Sequence, residues 1–90
     1  MALMVSIASV THMPTPETME DWRADHMRLF GQFADVPKLL PDTKDPNQIA
    51  VVSEVHDLDG LRAASRTPEG DAMMRKWGFL EQMSFFVEGA

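Results

Sequence analysis

The ninety residues include no cysteine, so neither a disulfide nor a thiolate metal site can reinforce the fold, and eight Met, five Phe and two Trp must hold it by packing. A reducing compartment is compatible with that. Basic residues are also scarce: eight Lys and Arg stand against fourteen Asp and Glu, for a formal net charge of −6. That balance argues against nucleic acid as a partner, because phosphate affinity rests on neutralising cations. No apolar run is long enough to span a bilayer, and the apolar opening, Met1 to Val10, lacks the basic start and small-residue cleavage site of a signal peptide. It reads as a strand, which leaves a cytoplasmic protein with no membrane partner as the expectation. Repeats, low-complexity tracts, an H-E-x-x-H pair, a glycine-rich phosphate loop and a nucleophile-plus-base signature are absent as well.

What is present alternates between strand and helix signals. Leu3 to Val10 is apolar or small except at Ser6 and Ser9, the pattern of a strand covered on both faces. Thr15-Pro16-Glu17 supplies a capping hydroxyl, a preset φ and an acid, which predicts a helix from near Pro16. Its apolar stripe is Met19, Trp22, Leu29, Phe30 and Phe33, with His26 four residues from both Trp22 and Phe30, and Gly31 offers a left-handed stop. Val36 to Leu40, flanked by Pro37 and Pro41, can only be an edge strand or an extended loop. Asp42 to Gln48 is a turn, and β-branched Ile49 to Val55 is the strand that completes a hairpin. A second helix is expected in two pieces: Leu61 to Arg66, then one capped by Thr67-Pro68-Glu69 that runs to Lys76 or Trp77 and stops at Gly78. Met83 to Val87 is the last strand.

This order is the split βαβ arrangement of a ferredoxin-like α+β sandwich, a four-stranded antiparallel sheet with two helices on one face. Residues 1–90 are expected to form one domain. Two helices cover one sheet face only, yet both faces are expected to be apolar, with Val52, Phe86, Val10 and Met4 on one and Val51, Phe85, Ile7 and Val5 on the other. A second copy of the chain is the simplest cover for the open face, which predicts a homodimer joined sheet to sheet.

In this arrangement the chain resembles the dimeric α+β barrel superfamily over nearly its whole length, through its element order and through Thr67-Pro68-Glu69-Gly70 in the second helix. A narrower similarity lies in Trp22-Arg23-Ala24-Asp25-His26, which looks like the W-x-x-x-H pattern of the EthD-like branch and its methylmuconolactone methylisomerase relatives, although no proline follows in Met27 to Phe30. The resemblance implies a cofactor-free enzyme, of cyclase, isomerase or monooxygenase type, acting by proton transfer on an aromatic, polyketide-like or lactone substrate. It also implies that His26 moves the proton while Trp22 and Phe30 position the substrate. The Asn, Trp and His set of the haem-degrading branch has no counterpart, since the first strand contains no Asn.

The residues themselves leave two readings open. His26 on a buried stripe is either a general acid or base or a core histidine tied to a backbone carbonyl. Trp22, Phe30, Met73 and Trp77 either line an apolar pocket for a hydrophobic or aromatic small molecule or are plain core. Ser53, polar in an apolar strand, either meets a ligand or satisfies local backbone. Glu54 and His56, on one strand face, form an acid/base pair or else place Glu54 near Lys38 across the hairpin and His56 in solvent. Asp25, about 100° around the helix from His26, is expected to be a solvated charge. No metal site is expected, since His12 and His56 end adjacent antiparallel strands at opposite ends, a strand length of roughly 17 Å apart. A non-catalytic ligand-binding or regulatory dimer is the rival to the enzyme.

Overall fold

The computed structural model describes residues 2–89. Strand β1 spans Ala2–Val10, helix α1 Met19–Phe30, strands β2 and β3 Lys38–Pro41 and Gln48–Val55, helices α2 and α3 Leu58–Ser65 and Pro68–Lys76, and strand β4 Phe79–Val87. The four strands form one antiparallel sheet in the order β2-β3-β1-β4, with the helices on one side. This is the expected ferredoxin-like α+β architecture, with the second helical segment divided into α2 and α3.

The division has a local cause. Thr67 is extended, its hydroxyl accepts the Gly70 N–H at 3.0 Å, and Pro68 opens α3 where no N–H is needed. Asp57 caps α2 in the same way through the Gly60 N–H. Gly70 is buried where α3 meets the end of α2, and a Cβ there would collide with the Ala64 carbonyl. Gly78, at φ 90°, supplies the left-handed residue that turns α3 into β4.

Several boundaries differ from expectation. Helix α1 begins at Met19, because Thr15 to Thr18 close a separate turn first: Thr18 N–H donates to the Thr15 carbonyl, and the Thr18 carbonyl then receives the Trp22 N–H. Gly31 does not end the helix in the left-handed region, since its φ is −61°. The chain leaves through the Phe33 and Ala34 N–H groups, both bonded to the Phe30 carbonyl. The edge strand is displaced to Lys38–Pro41, with Pro41 paired to Ile49. Strand β4 starts at Phe79, four residues before the expected Met83. Two register shifts against β1 leave Leu80 and Met83 without a partner, which interrupts the alternation that marks a strand.

Register also decides which residues share a face. Met4 lies opposite Ser53, Ser6 opposite Val51 and Phe85, and Val5 opposite Val52 and Phe86. Met4 and Val10 therefore share the helix face with Val51 and Phe85, while Val5 and Ile7 share the open face with Val52 and Phe86, which corrects the expected grouping. Strands β1 and β3 alternate as read, but the phase between strands depends on pairing, and a slip of one residue reverses it. On the helix side Trp22, Phe30, Met73 and Trp77 form one buried cluster, and Ala8, Val10 and Ile49 form another at the sheet. Among the described residues no helix is long and apolar enough to cross a membrane.

Candidate functional site

A cavity of about 330 Å³ lies between the helices and the sheet. Its floor is made of short side chains: Ser6 and Ala8 of β1 and Ser53 of β3, bordered by Met4, Val51 and Phe85. Trp22, His26 and Phe30 of α1 hang over it, one per turn, because a spacing of four brings them to one side of the helix. Leu61 of α2 and Met73 and Met74 of α3 complete the apolar wall. The exposed lining residues come from α2, α3, the link between them and the first half of β4, so the cavity opens between the helix pair and that sheet edge.

His26 is buried, with ring centroids 6.3 Å from Trp22 and 5.8 Å from Phe30. Its Nε2–H donates to the Ala34 carbonyl at 3.1 Å. A carbonyl can only accept, so this bond places the proton on Nε2 and leaves a lone pair on Nδ1. Nδ1 has no hydrogen-bond partner among the described residues, and His26 lines the cavity. Burial pushes the imidazole below the ordinary histidine range, against a weaker upward pull from the Ala34 and Asp35 backbone and the Asp35 charge. The ring is thus a neutral base of fixed tautomer at pH 7.

The segment that fixes His26 is itself clamped to β3. Ala34 bridges to Val55, Asp35 N–H donates to the Glu54 carbonyl at 2.9 Å, and the Ser53 hydroxyl donates to the Asp35 carbonyl at 2.9 Å. Ser53 therefore meets local backbone as donor, yet it lines the cavity and keeps its lone pairs. His56 Nε2 lies 2.9 Å from Asp35 Oδ1 at the exposed end of the same clamp. Glu54 and His56 do not line the cavity, and Lys38 lies opposite Val52, not Glu54.

Of the residues singled out by sequence, the structure brings Trp22, His26, Phe30, Ser53 and Met73 around one cavity. Trp77 is not with them. It packs in the core beside Trp22 and Met73, and its Nε1–H donates to Asp25 Oδ2 at 2.9 Å. The Asp25 carboxylate makes no hydrogen bond to the His26 ring, but neither is it a free solvated charge: Oδ2 also accepts from Lys76 Nζ at 2.9 Å, and Arg28 lies 3.6 Å from Oδ1. The Lys76 hydrogen bond first, and the Trp77 one second, hold its carboxyl below the usual carboxylate range. Sequence reasoning missed the Ala34 carbonyl, a backbone group with no side-chain signal. It also missed the floor, for which Ser6 and Ala8 on one side of an otherwise bulky strand were the available sign. Among the described residues no three of His, Asp and Glu converge on a point that could hold a metal ion.

No family model matches the sequence, and no curated protein is similar to it at a significant level. Solved structures are similar in fold. SnoaB, a cofactor-independent oxygenase from Streptomyces nogalater, is 17% identical, with a TM-score of 0.58 over 99% of this chain and 91% of its own. An antibiotic biosynthesis monooxygenase is 14% identical, with a TM-score of 0.55 over 100% and 98%. The protein YJCS is 3% identical, with a TM-score of 0.62 over 99% and 97%. At such identities the likeness is one of backbone: the chain shares a ferredoxin-like α+β fold with these structures.

Proposed function

We propose that the protein is a cofactor-free small-molecule enzyme, of monooxygenase, cyclase or isomerase type, in which His26 takes a proton from an aromatic, polyketide-like or lactone substrate. The observation that carries this reading is a neutral, buried His26 that lines an apolar cavity, with Nε2 tied to the Ala34 carbonyl and Nδ1 without a protein partner among the described residues. A base works best when its unprotonated form dominates at the operating pH and its orientation is fixed before the substrate arrives. The three reaction types share that first step, after which the resulting anion attacks a carbonyl, is reprotonated elsewhere, or reacts with dioxygen. Trp22 and Phe30, on either side of the imidazole, would position a flat substrate against it, Met73 would border it and Ser53 would offer an acceptor. Trp77 acts only behind this wall. The volume lies at the lower end of the roughly 300–1,000 Å³ usual for small-molecule sites. The fold shared with a cofactor-independent oxygenase supports the same reading.

The reading includes a homodimer in which a second copy covers the open sheet face, where Phe86 is 60% exposed beside Val5, Ile7 and Val52. The test of catalysis is hydrogen–deuterium exchange of the acidic C–H groups of aromatic ketones such as 2-tetralone, followed by NMR in D₂O. Exchange accelerated by the wild type and lost in His26→Gln is expected. Equal acceleration by both proteins overturns the role of His26, and no acceleration by either leaves a ligand-binding module.

A further inference from the structure

We infer that the ligand of this cavity carries an anionic group at one end, received at the mouth by Arg62 and Arg66 while its apolar remainder lies against Trp22 and Phe30. The inference rests on the cavity being the ligand site and adds the chemical class of what enters. The chain has a net charge of −6 and only eight Lys and Arg, yet three of the eight, Arg62, Arg66 and Arg75, line this one opening. Two acids line it too. Asp71 is taken up by Arg75, at 3.7 Å one helical turn away. Glu81, across the mouth on β4, is the remaining negative charge against Arg62 and Arg66. Neither of those arginines makes an ion pair among the described residues. The rim is thus locally positive on a protein whose overall field repels anions.

Arg62 is also placed, not merely present. Its guanidinium carbon lies 5.4 Å from the centroid of the Phe85 ring, which itself lines the cavity, so the cation is held at the wall by the ring, and its N–H groups make no hydrogen bond or ion pair among the described residues. A planar fork in that position suits a carboxylate, sulfonate or phenolate oxygen. Keeping the ligand's charge at the wet rim avoids the penalty of burying it, and it directs the uncharged end toward His26.

Two dyes of one skeleton test this: 1-anilinonaphthalene-8-sulfonate, which is anionic, and N-phenyl-1-naphthylamine, which is not. Binding of each is measured by fluorescence titration. The double variant Arg62→Gln/Arg66→Gln should weaken the sulfonate about tenfold and the neutral dye less than twofold. Lys38→Gln/Lys44→Gln, which removes the same charge at the opposite sheet edge, should change neither by more than twofold. Equal effects of the arginine pair on both dyes, no effect, or an equal effect of the lysine pair on the sulfonate overturns the inference. Ala8→Leu, which fills the cavity floor, separates this from the underlying reading. If that variant blocks both dyes while the arginines discriminate nothing, the anion inference alone falls; if Ala8→Leu binds both as the wild type does, the cavity is not the ligand site and both fall.

Discussion

Replacing Asp25 should reveal how far one carboxylate ties α1 to the end of α3. In Asp25→Ala the Nε1–H of the buried Trp77 loses its acceptor at the partly exposed edge of the core, and an unsatisfied buried donor costs about 1–3 kcal/mol. The Lys76 and Arg28 side chains are each 61% exposed, so solvent screening limits their two ion pairs to a further ~0.5–1 kcal/mol together. The expected loss is therefore about 1.5–4 kcal/mol, or a fall in Tm on the order of 6–30 °C for a domain of this size. Asp25→Asn keeps an amide oxygen for the indole and loses only the charge, so it should cost about 1 kcal/mol or less. Urea unfolding at one fixed protein concentration measures both, since any self-association would otherwise enter the midpoint. The carboxyl is held below its unfolded value, so its contribution is complete above about pH 4 and disappears as pH falls through the lowered folded value. The gap between wild type and Asp25→Asn should close accordingly in acid. Equal losses in Asp25→Ala and Asp25→Asn, or a loss under ~0.5 kcal/mol in the former, would refute the assignment of the indole bond as the main contribution.

Two further outcomes follow from the same geometry. Gly70→Ala places a methyl against the Ala64 carbonyl and should cost about 2 kcal/mol or more by urea unfolding, whereas Gly89→Ala, with nothing within 4 Å, should be neutral. The depressed folded value of His26 makes the unfolded state the better proton binder below about pH 6.5, so stability should be full above that pH and fall with acid, and His26→Gln should flatten this slope in Tm measured from pH 7.5 to 5. A His26→Gln profile parallel to that of the wild type would contradict the buried neutral ring.

Local signals carried most of the fold. The cap and proline at Thr67-Pro68, the stop at Gly78 and the four-residue spacing of Trp22, His26 and Phe30 are short-range chemistry, and each fixes structure within a turn or two of itself. What stayed hidden depends on partners distant in sequence. The extent of β4 was obscured by the unpaired Leu80 and Met83, which break a period of two that only the pairing with β1 explains. Trp77 and Met73 are both apolar residues on or just past α3, and nothing local says that one turns its indole to Asp25, 52 residues away, while the other reaches the cavity. The tautomer of His26 rests on the Ala34 carbonyl, and that in turn on a clamp to β3 that no motif announces.

The distribution of bulk along β1 links the cavity to the proposed second copy. Between Met4 and Val10, which also face the helices, the middle of the strand presents Ser6 and Ala8, small residues that leave space, while the large β-branched Val5 and Ile7 point to the open face beside Val52 and Phe86. A solitary two-layer sandwich would be best served by the reverse, with large residues beneath the helices and small or polar ones toward water. The arrangement is stable if a partner shelters the outward row, and the room left inside is then available to a ligand. Phe86→Glu tests this at a side chain whose 60% exposure makes it nearly neutral to the protomer. In a two-fold interface the change occurs twice, and losing the burial of two such rings amounts to about 3 kcal/mol, a hundredfold or more in dimer dissociation before the cost of covering two carboxylates. Sedimentation equilibrium should therefore find twice the 10.1 kDa chain mass for the wild type at micromolar concentration and a folded monomer for Phe86→Glu. A wild type that sediments as a monomer, or a variant that stays dimeric, would mean that Val5, Ile7, Val52 and Phe86 face water or some other cover, and the small residues beneath the helices would then need a different explanation.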